Sequence, residues 1–186
     1  MAKLIYLANS TLDGYTEDRD GKFDWAEPDD QVHRFVNDLE RSAGTHLYGR
    51  RMYETLAVWE TDPSFAAISP VMRDYAEIWQ AMDKIVYSRT LPAAYTARTR
   101  IEREFDPEAV RRLKQTSQRD ISIAGSELAG QAFKFGLIDE YQLMLWPVVL
   151  GGGKPALPSN VPLMFKLLEE RRFQSGMVYL RYQTQP

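Results

Sequence analysis

The sequence predicts one domain, residues 1–186, with a three-layer α/β fold: a mostly parallel central sheet, helices on both faces and an antiparallel hairpin at the C-terminal edge. Three observations predict it. Short β-branched runs alternate with amphipathic helical segments through the first two thirds of the chain. The opening strand is apolar almost without interruption, as in a strand covered on both faces. The last two strand-like runs are joined by Ser175-Gly176, a hairpin signal.

The first strand covers about Lys3 to Ala8. A polar loop, Asn9 to Glu27, follows, with Asp13-Gly14, Asp20-Gly21, Phe23 and Trp25; loops of this length in compact domains are often functional. A helix begins near Pro28, with Asp29 and Asp30 at its positive end and Val32, Phe35, Val36 and Leu39 on its apolar face; Gly44 ends it. Thr45 to Gly49 reads as a strand and Arg50 to Leu56 as a helix. The best marked helix has Ser69 as N-cap, Pro70 at its first position and Val71, Tyr75, Ile78, Trp79 and Met82 on one face. Strands follow at Lys84 to Ser88 and Thr99 to Glu104, then a helix capped by Asp106 with Pro107 behind it. Ile121 to Ala124 is a strand, and a tight turn leads into a helix with apolar Leu128, Ala129, Ala132 and Phe133, stopped by Gly136. Glu140 to Val149, Phe165 to Phe173 and Met177 to Gln183 complete the strands.

Composition narrows the function. A chain of 186 residues with 44% hydrophobic and 26% charged residues can bury a sizeable core. The net charge is −3, and no Lys/Arg block tracks a nucleic-acid backbone. There is no cysteine, which removes disulfides, thiolate metal sites and a cysteine nucleophile. The two histidines, His33 and His46, share no ligand spacing with carboxylates, so no metal is expected, and His33 is expected at the surface. The N-terminal apolar run is too short for a signal sequence and no later run reaches membrane-span length. The expectation is a cytoplasmic protein without membrane or nucleic-acid partners.

Three strand ends carry related residues: Gly49-Arg50-Arg51, Ser88-Arg89-Thr90 and Ala124-Gly125-Ser126. In open α/β sheets ligands bind beyond the carboxyl ends of the strands. Arginine forks and small-residue turns at helix starts suit a ligand with several phosphates. Gly151-Gly152-Gly153-Lys154 lacks a following helix and reads as a flexible connection instead of a phosphate loop. Glu27, Asp29 and Asp30 either stabilise the helix start or supply a carboxyl that handles a proton at a cleft mouth.

Taken in order, these pieces resemble the dihydrofolate reductase superfamily, most closely the stand-alone relatives of the C-terminal reductase domain of the bacterial riboflavin-biosynthesis deaminase-reductase. The resemblance covers nearly the whole chain. It rests on Ala8-Asn9-Ser10-Thr11-Leu12-Asp13-Gly14, Tyr48-Gly49-Arg50-Arg51-Met52-Tyr53-Glu54, Ile85-Val86-Tyr87-Ser88-Arg89, Ile123-Ala124-Gly125-Ser126-Glu127-Leu128, Gly136-Leu137-Ile138-Asp139-Glu140 and Val149 to Pro155. It implies NADPH lying across the sheet. Gly49, Arg50 and Arg51 would face its phosphates, Ser88 and Arg89 the adenosine end, and Ala124, Gly125, Ser126, Glu127 and Leu128 the pyrophosphate and nicotinamide side. Asn9, Asp13 and Gly14 would belong to the loop that closes over nicotinamide and substrate. The family commonly has two glycines joined by a cis bond where this chain has Ala124-Gly125.

Folate reductases carry W-x-x-P-x-[DE] at the loop-to-helix junction. Trp25-Ala26-Glu27-Pro28-Asp29-Asp30 matches it and places Asp30 at the acid position, with Asp13 as the second candidate for proton control. Trp25, Gln31 and Arg34 would then border the substrate; Gln31 and Arg34 stand where folate reductases are apolar, which argues against a folate pocket. The chain has no H-x-E or P-C-x-x-C deaminase element. The expected function is an NADPH-dependent reductase acting on a small heterocyclic or carbonyl substrate. The alternatives are a nicotinamide-nucleotide-binding protein with little catalysis, and dihydrofolate reductase itself. A homodimer is expected, with Tyr141, Leu143 and Trp146 either supplying an apolar surface or packing in the core.

Overall fold

A computed structural model describes residues 1–185. In chain order the elements are β1 (Leu4–Thr11), β2 (Tyr15–Glu17), α1 (Asp30–Ser42), β3 (Ala43–Gly49), α2 (Arg50–Leu56), α3 (Val58–Thr61), α4 (Pro63–Ile68), α5 (Pro70–Ala81), β4 (Asp83–Tyr87) and β5 (Thr99–Glu102). They continue with α6 (Pro107–Thr116), β6 (Asp120–Ala124), α7 (Ser126–Lys134), β7 (Glu140–Trp146), β8 (Lys154–Pro155), β9 (Met164–Arg172) and β10 (Val178–Gln185). Eight strands form one sheet in the order β5-β4-β3-β6-β1-β7-β10-β9. The first six of these run parallel, and β10 is antiparallel to both of its neighbours. The three-layer, mostly parallel architecture expected from the sequence is the one observed.

Side-chain alternation divides the core by sheet face. Leu4, Tyr6, Leu47, Ile121 and Ile123 point to one face, where α6 and α7 cover them with Val110, Leu128, Ala132 and Phe133. On the other face α1 covers Met144, Trp146 and Tyr179 with Val32 and Phe35, while α2 and α5 cover Tyr48 and Val86 with Tyr53 and Trp79. Tyr141 and Leu143 join the first core and Trp146 the second, so the surface reading of these three is corrected to core packing. Exposed apolar side chains lie instead on the edge strand β9: Met164, Leu167 and Leu168.

Caps set two helix starts as the sequence predicts. Ser69 accepts from the N–H of Met72 and Asp106 from that of Glu108. Asp29, expected within the first turn of a helix beginning near Pro28, is instead the N-cap of α1 and accepts from Val32, so the helix begins at Asp30. At the other end of α5 the buried Lys84 donates to the carbonyls of Trp79 (3.0 Å) and Met82 (2.9 Å), completing acceptors the helix leaves open. Burial pushes the Lys84 ammonium down to about 8. Two further details differ from expectation. Gly44 lies inside β3, and a side chain there would come within 3.0 Å of Arg119, so it serves close packing and not helix termination. The segment after Leu56 holds α3 and α4, which are too short to show periodicity. No described helix is long and apolar enough to cross a membrane.

Candidate functional site

The parallel strands β4, β3, β6 and β1 are neighbours, so their carboxyl ends lie side by side. Register aligns Gly49 with Tyr87 and Tyr48 with Ala124. The three turns singled out in the sequence therefore meet along one edge, and β1 delivers the Asn9 to Gly14 segment beside them. The β6-to-α7 turn depends on Gly125, whose φ of +96° favours glycine. The sequence leaves the geometry of the Ala124–Gly125 bond open; no described peptide bond is cis, and the positive φ of Gly125 makes the turn. No side chain caps α7, which leaves the N–H groups of its first turn open. Leu128 itself is buried in the core, so only its backbone faces this edge.

The cationic side chains reach the same edge. Arg50 bonds Glu54 and the Thr90 hydroxyl, both across short distances of 2.8 and 2.9 Å. Arg51 bonds Glu17 at 2.9 Å, and Arg89 bonds Glu104 at 3.3 Å. Ser88, expected at the adenosine end, turns its hydroxyl inward to accept from the N–H groups of Leu91 (3.0 Å) and Thr90 (3.3 Å). Arg103 locks this turn by donating to the carbonyls of Ser88 and Leu91. Gly49 has open space where a side chain would stand, and the would-be side chain of Gly125 meets only Met52 at 3.9 Å. Open N–H groups, exposed guanidinium groups and a bare backbone fit the phosphates of a dinucleotide.

A strap crosses above β1. Strands β2 and β8 pair antiparallel, with Tyr15 opposite Pro155 and Glu17 opposite Lys154. The triple glycine makes this possible: a side chain on Gly153 would lie 1.9 Å from the Glu17 carbonyl oxygen, and one on Gly152 would meet Arg19 at 2.8 Å. The run is a platform for close backbone approach, and the reading as a flexible connection is corrected. Asp13 fastens the same region. Its carboxylate accepts from the Thr11 hydroxyl (2.7 Å) and from the N–H groups of Gly151 (2.7 Å) and Leu150 (3.2 Å). The Thr11 hydroxyl above all, with the two N–H groups, holds this carboxyl below its ordinary range. A proton donor at neutral pH needs the opposite shift. Asn9 accepts from the Trp146 indole at 2.8 Å, and Gly14 turns the chain at φ +86°.

At the start of α1 the acidic residues separate into two roles. Asp29 caps the helix, bonding Val32 N–H at 2.8 Å. Asp30 is exposed and pairs with Arg34 at 3.0 Å; Gln31 is exposed beside them. Trp25 is half-buried in the core under α1. His33 is not a free surface residue: it is half-buried, edge-on to Trp59 and Tyr75, and bonded to Asn37 at 3.1 Å. Sequence reasoning missed Glu17 and Lys154. Lys154 lies 2.9 Å from Glu127 and 3.9 Å from Glu17. Only the proximity of Lys154 to the glycines marked it. A groove of about 350 Å³ runs from Ser126 and Glu127 along α7 to Lys134, walled by Lys154 and Pro158.

Fold and edge together define an open α/β protein, a class in which ligands bind beyond the carboxyl ends of the strands. The family model for the RibD C-terminal domain matches residues 2–179, and the chain belongs to that family. It is similar to YyaP, an uncharacterised protein of Bacillus subtilis, at 30% identity over 92% of this chain and 89% of YyaP. Among solved structures it resembles a putative riboflavin biosynthesis protein from Shewanella sp. PV-4, with a TM-score of 0.76, 22% identity and full coverage of both chains. It also resembles RibD of Acinetobacter baumannii, with a TM-score of 0.73 and 18% identity over all of this chain and 58% of that one. The fold is thus the dihydrofolate-reductase-like fold of the RibD reductase domain.

Proposed function

We propose that the protein is an NADPH-dependent reductase acting on a small heterocyclic or carbonyl substrate of the riboflavin-pathway kind. The observation that carries this reading is the meeting of the Gly49, Ser88 and Gly125 turns at one sheet edge in a chain of this family. Arg50, Arg51 and the open N–H groups at Ser126, Glu127 and Leu128 hold the phosphates, with Arg89 toward the adenosine end. Asn9 and Gly14 border the nicotinamide side, and Trp25, Gln31 and Arg34 the substrate side. The chemistry that bound NADPH supplies is hydride donation. The chain's part is to position the reactants and to control one proton. That proton is assigned to Asp30, because the Asp13 carboxyl is committed to bracing Leu150 and Gly151. The polar, exposed Gln31 and Arg34 disfavour dihydrofolate as substrate.

Quenching of protein fluorescence by NADPH tests the cofactor. Asp30→Asn is expected to leave that binding unchanged while lowering turnover by about 100-fold. Binding without oxidation of NADPH in the presence of ribosylaminopyrimidine, dihydrofolate, pterin or quinone favours the nucleotide-binding alternative. That alternative has one observation behind it, the pairing of Asp30 with Arg34 at the surface. No quench at cofactor concentrations on the order of millimolar removes both readings. The same reading keeps a cytoplasmic location.

The proposed partner is a second copy, paired through β9. Antiparallel pairing about Leu168 sets Lys166 opposite Glu170 twice and brings Leu168 against itself. Light scattering should give a dimer that Leu168→Arg converts to monomer; an unchanged mass for both proteins rules the interface out.

A further inference from the structure

The three guanidinium pairs at the ligand edge are not alike. Arg50 pairs with Glu54 one turn along its own helix, and Arg89 with Glu104 where both side chains are more than 70% exposed. Such surface pairs couple weakly. Arg51 is held by Glu17, which comes from the strap and whose side chain is only 19% exposed. The second Glu17 oxygen lies 3.9 Å from Lys154 Nζ, and Lys154 bonds Glu127 on the first turn of α7 at 2.9 Å. A clasp of alternating charges, Arg51, Glu17, Lys154 and Glu127, therefore runs from α2 across the strap to α7. The tip of the strap rests on the same guanidinium, because a side chain on Gly21 would come within 3.1 Å of Arg51 Nη2.

We propose that Glu17 is a specificity-determining residue that occupies Arg51 in place of a ligand phosphate. The proposal rests on the reading of Arg51 as a phosphate contact and takes that phosphate to be the 2′-phosphomonoester, which NADPH carries and NADH lacks. A phosphomonoester dianion carries more charge than the single carboxylate and displaces it; a ribose hydroxyl carries none and leaves the pair intact. The exchange is a swap of ion pairs, with no bond made or broken. Glu17 keeps Lys154 as its partner, and the strap backbone stays seated on Gly153. The tip from Asp18 to Lys22 loses the support of Arg51.

Affinities for NADPH and NADH, measured by fluorescence on the full chain, test this together with trypsin cleavage after Arg19 and Lys22, both exposed in the tip. Glu17→Gln should bind NADPH about fivefold more tightly and NADH unchanged, with tip cleavage that is fast without ligand. In the wild-type protein, which needs no variant to fold, NADPH should speed tip cleavage and NADH should not. Equal or weaker NADPH binding by Glu17→Gln, an equal gain for both nucleotides, or wild-type cleavage indifferent to NADPH overturns the proposal. Arg51→Gln with wild-type NADPH affinity overturns it too and leaves the cofactor reading standing. If the wild-type protein binds neither nucleotide, the cofactor reading fails, and this proposal with it.

Discussion

Gly153→Ala is expected to lower the melting temperature by roughly 10 °C, from a loss of about 3 kcal/mol or more. Two independent effects act together. The φ of +150° belongs to a region that side-chain-bearing residues rarely adopt. The added methyl carbon would stand 1.9 Å from the Glu17 carbonyl oxygen, where backbone and not a flexible side chain must give way. Gly14→Ala separates the two. Its φ is +86°, but no atom lies within 4 Å of the new methyl group, so only the backbone cost of about 1 kcal/mol remains. Differential scanning fluorimetry on both variants reads the contrast directly. Similar melting temperatures for the two would show that strap and platform are not packed as described.

His46→Leu is expected to cost about 3 kcal/mol or more in urea unfolding. The imidazole is buried between β3 and α1, with Nδ1 2.6 Å from the Tyr48 hydroxyl and Nε2 3.0 Å from Glu40. The Glu40 approach is off the axis of a well-formed hydrogen bond, so the attraction there depends mainly on proximity. Removing His46 strands the Glu40 carboxyl and the Tyr48 hydroxyl in a core that offers water little access. The double variant Glu40→Leu, His46→Leu removes one of those stranded groups and should recover much of the loss. A double variant no more stable than His46→Leu would assign the cost to lost packing instead.

Much of the frame was legible in the sequence because its signals are local. Ser69-Pro70 marks the start of α5 and Asp106-Pro107 that of α6, since caps need only three or four residues to act. The three strand-end turns were legible because each follows a short strand-like run and carries glycine, serine or arginine. Which strands neighbour one another was not, since β6 enters between β3 and β1 from far along the chain. The strap was also hidden. Its strands have three and two residues, and one ends in Pro155. The roles of Asp13 and Glu17 depend on partners with no local signature: Gly151 lies 138 residues from Asp13, and Lys154 a similar distance from Glu17. For the same reason, the glycines looked like a flexible connection when their neighbours were unknown.

The central position of β1 has a consequence for how the chain acquires its structure. Both neighbours of β1 are encoded late, β6 at Asp120–Ala124 and β7 at Glu140–Trp146. During synthesis β1 has no neighbour in the sheet until about 110 further residues exist. Contacts of such long sequence separation slow folding, since the ends of a long loop must be brought together before either strand gains. Leu4, Ile5 and Tyr6, buried in the finished protein, are the residues left uncovered in that interval. They form the segment most open to capture by chaperones or to misassociation before the middle of the sheet closes.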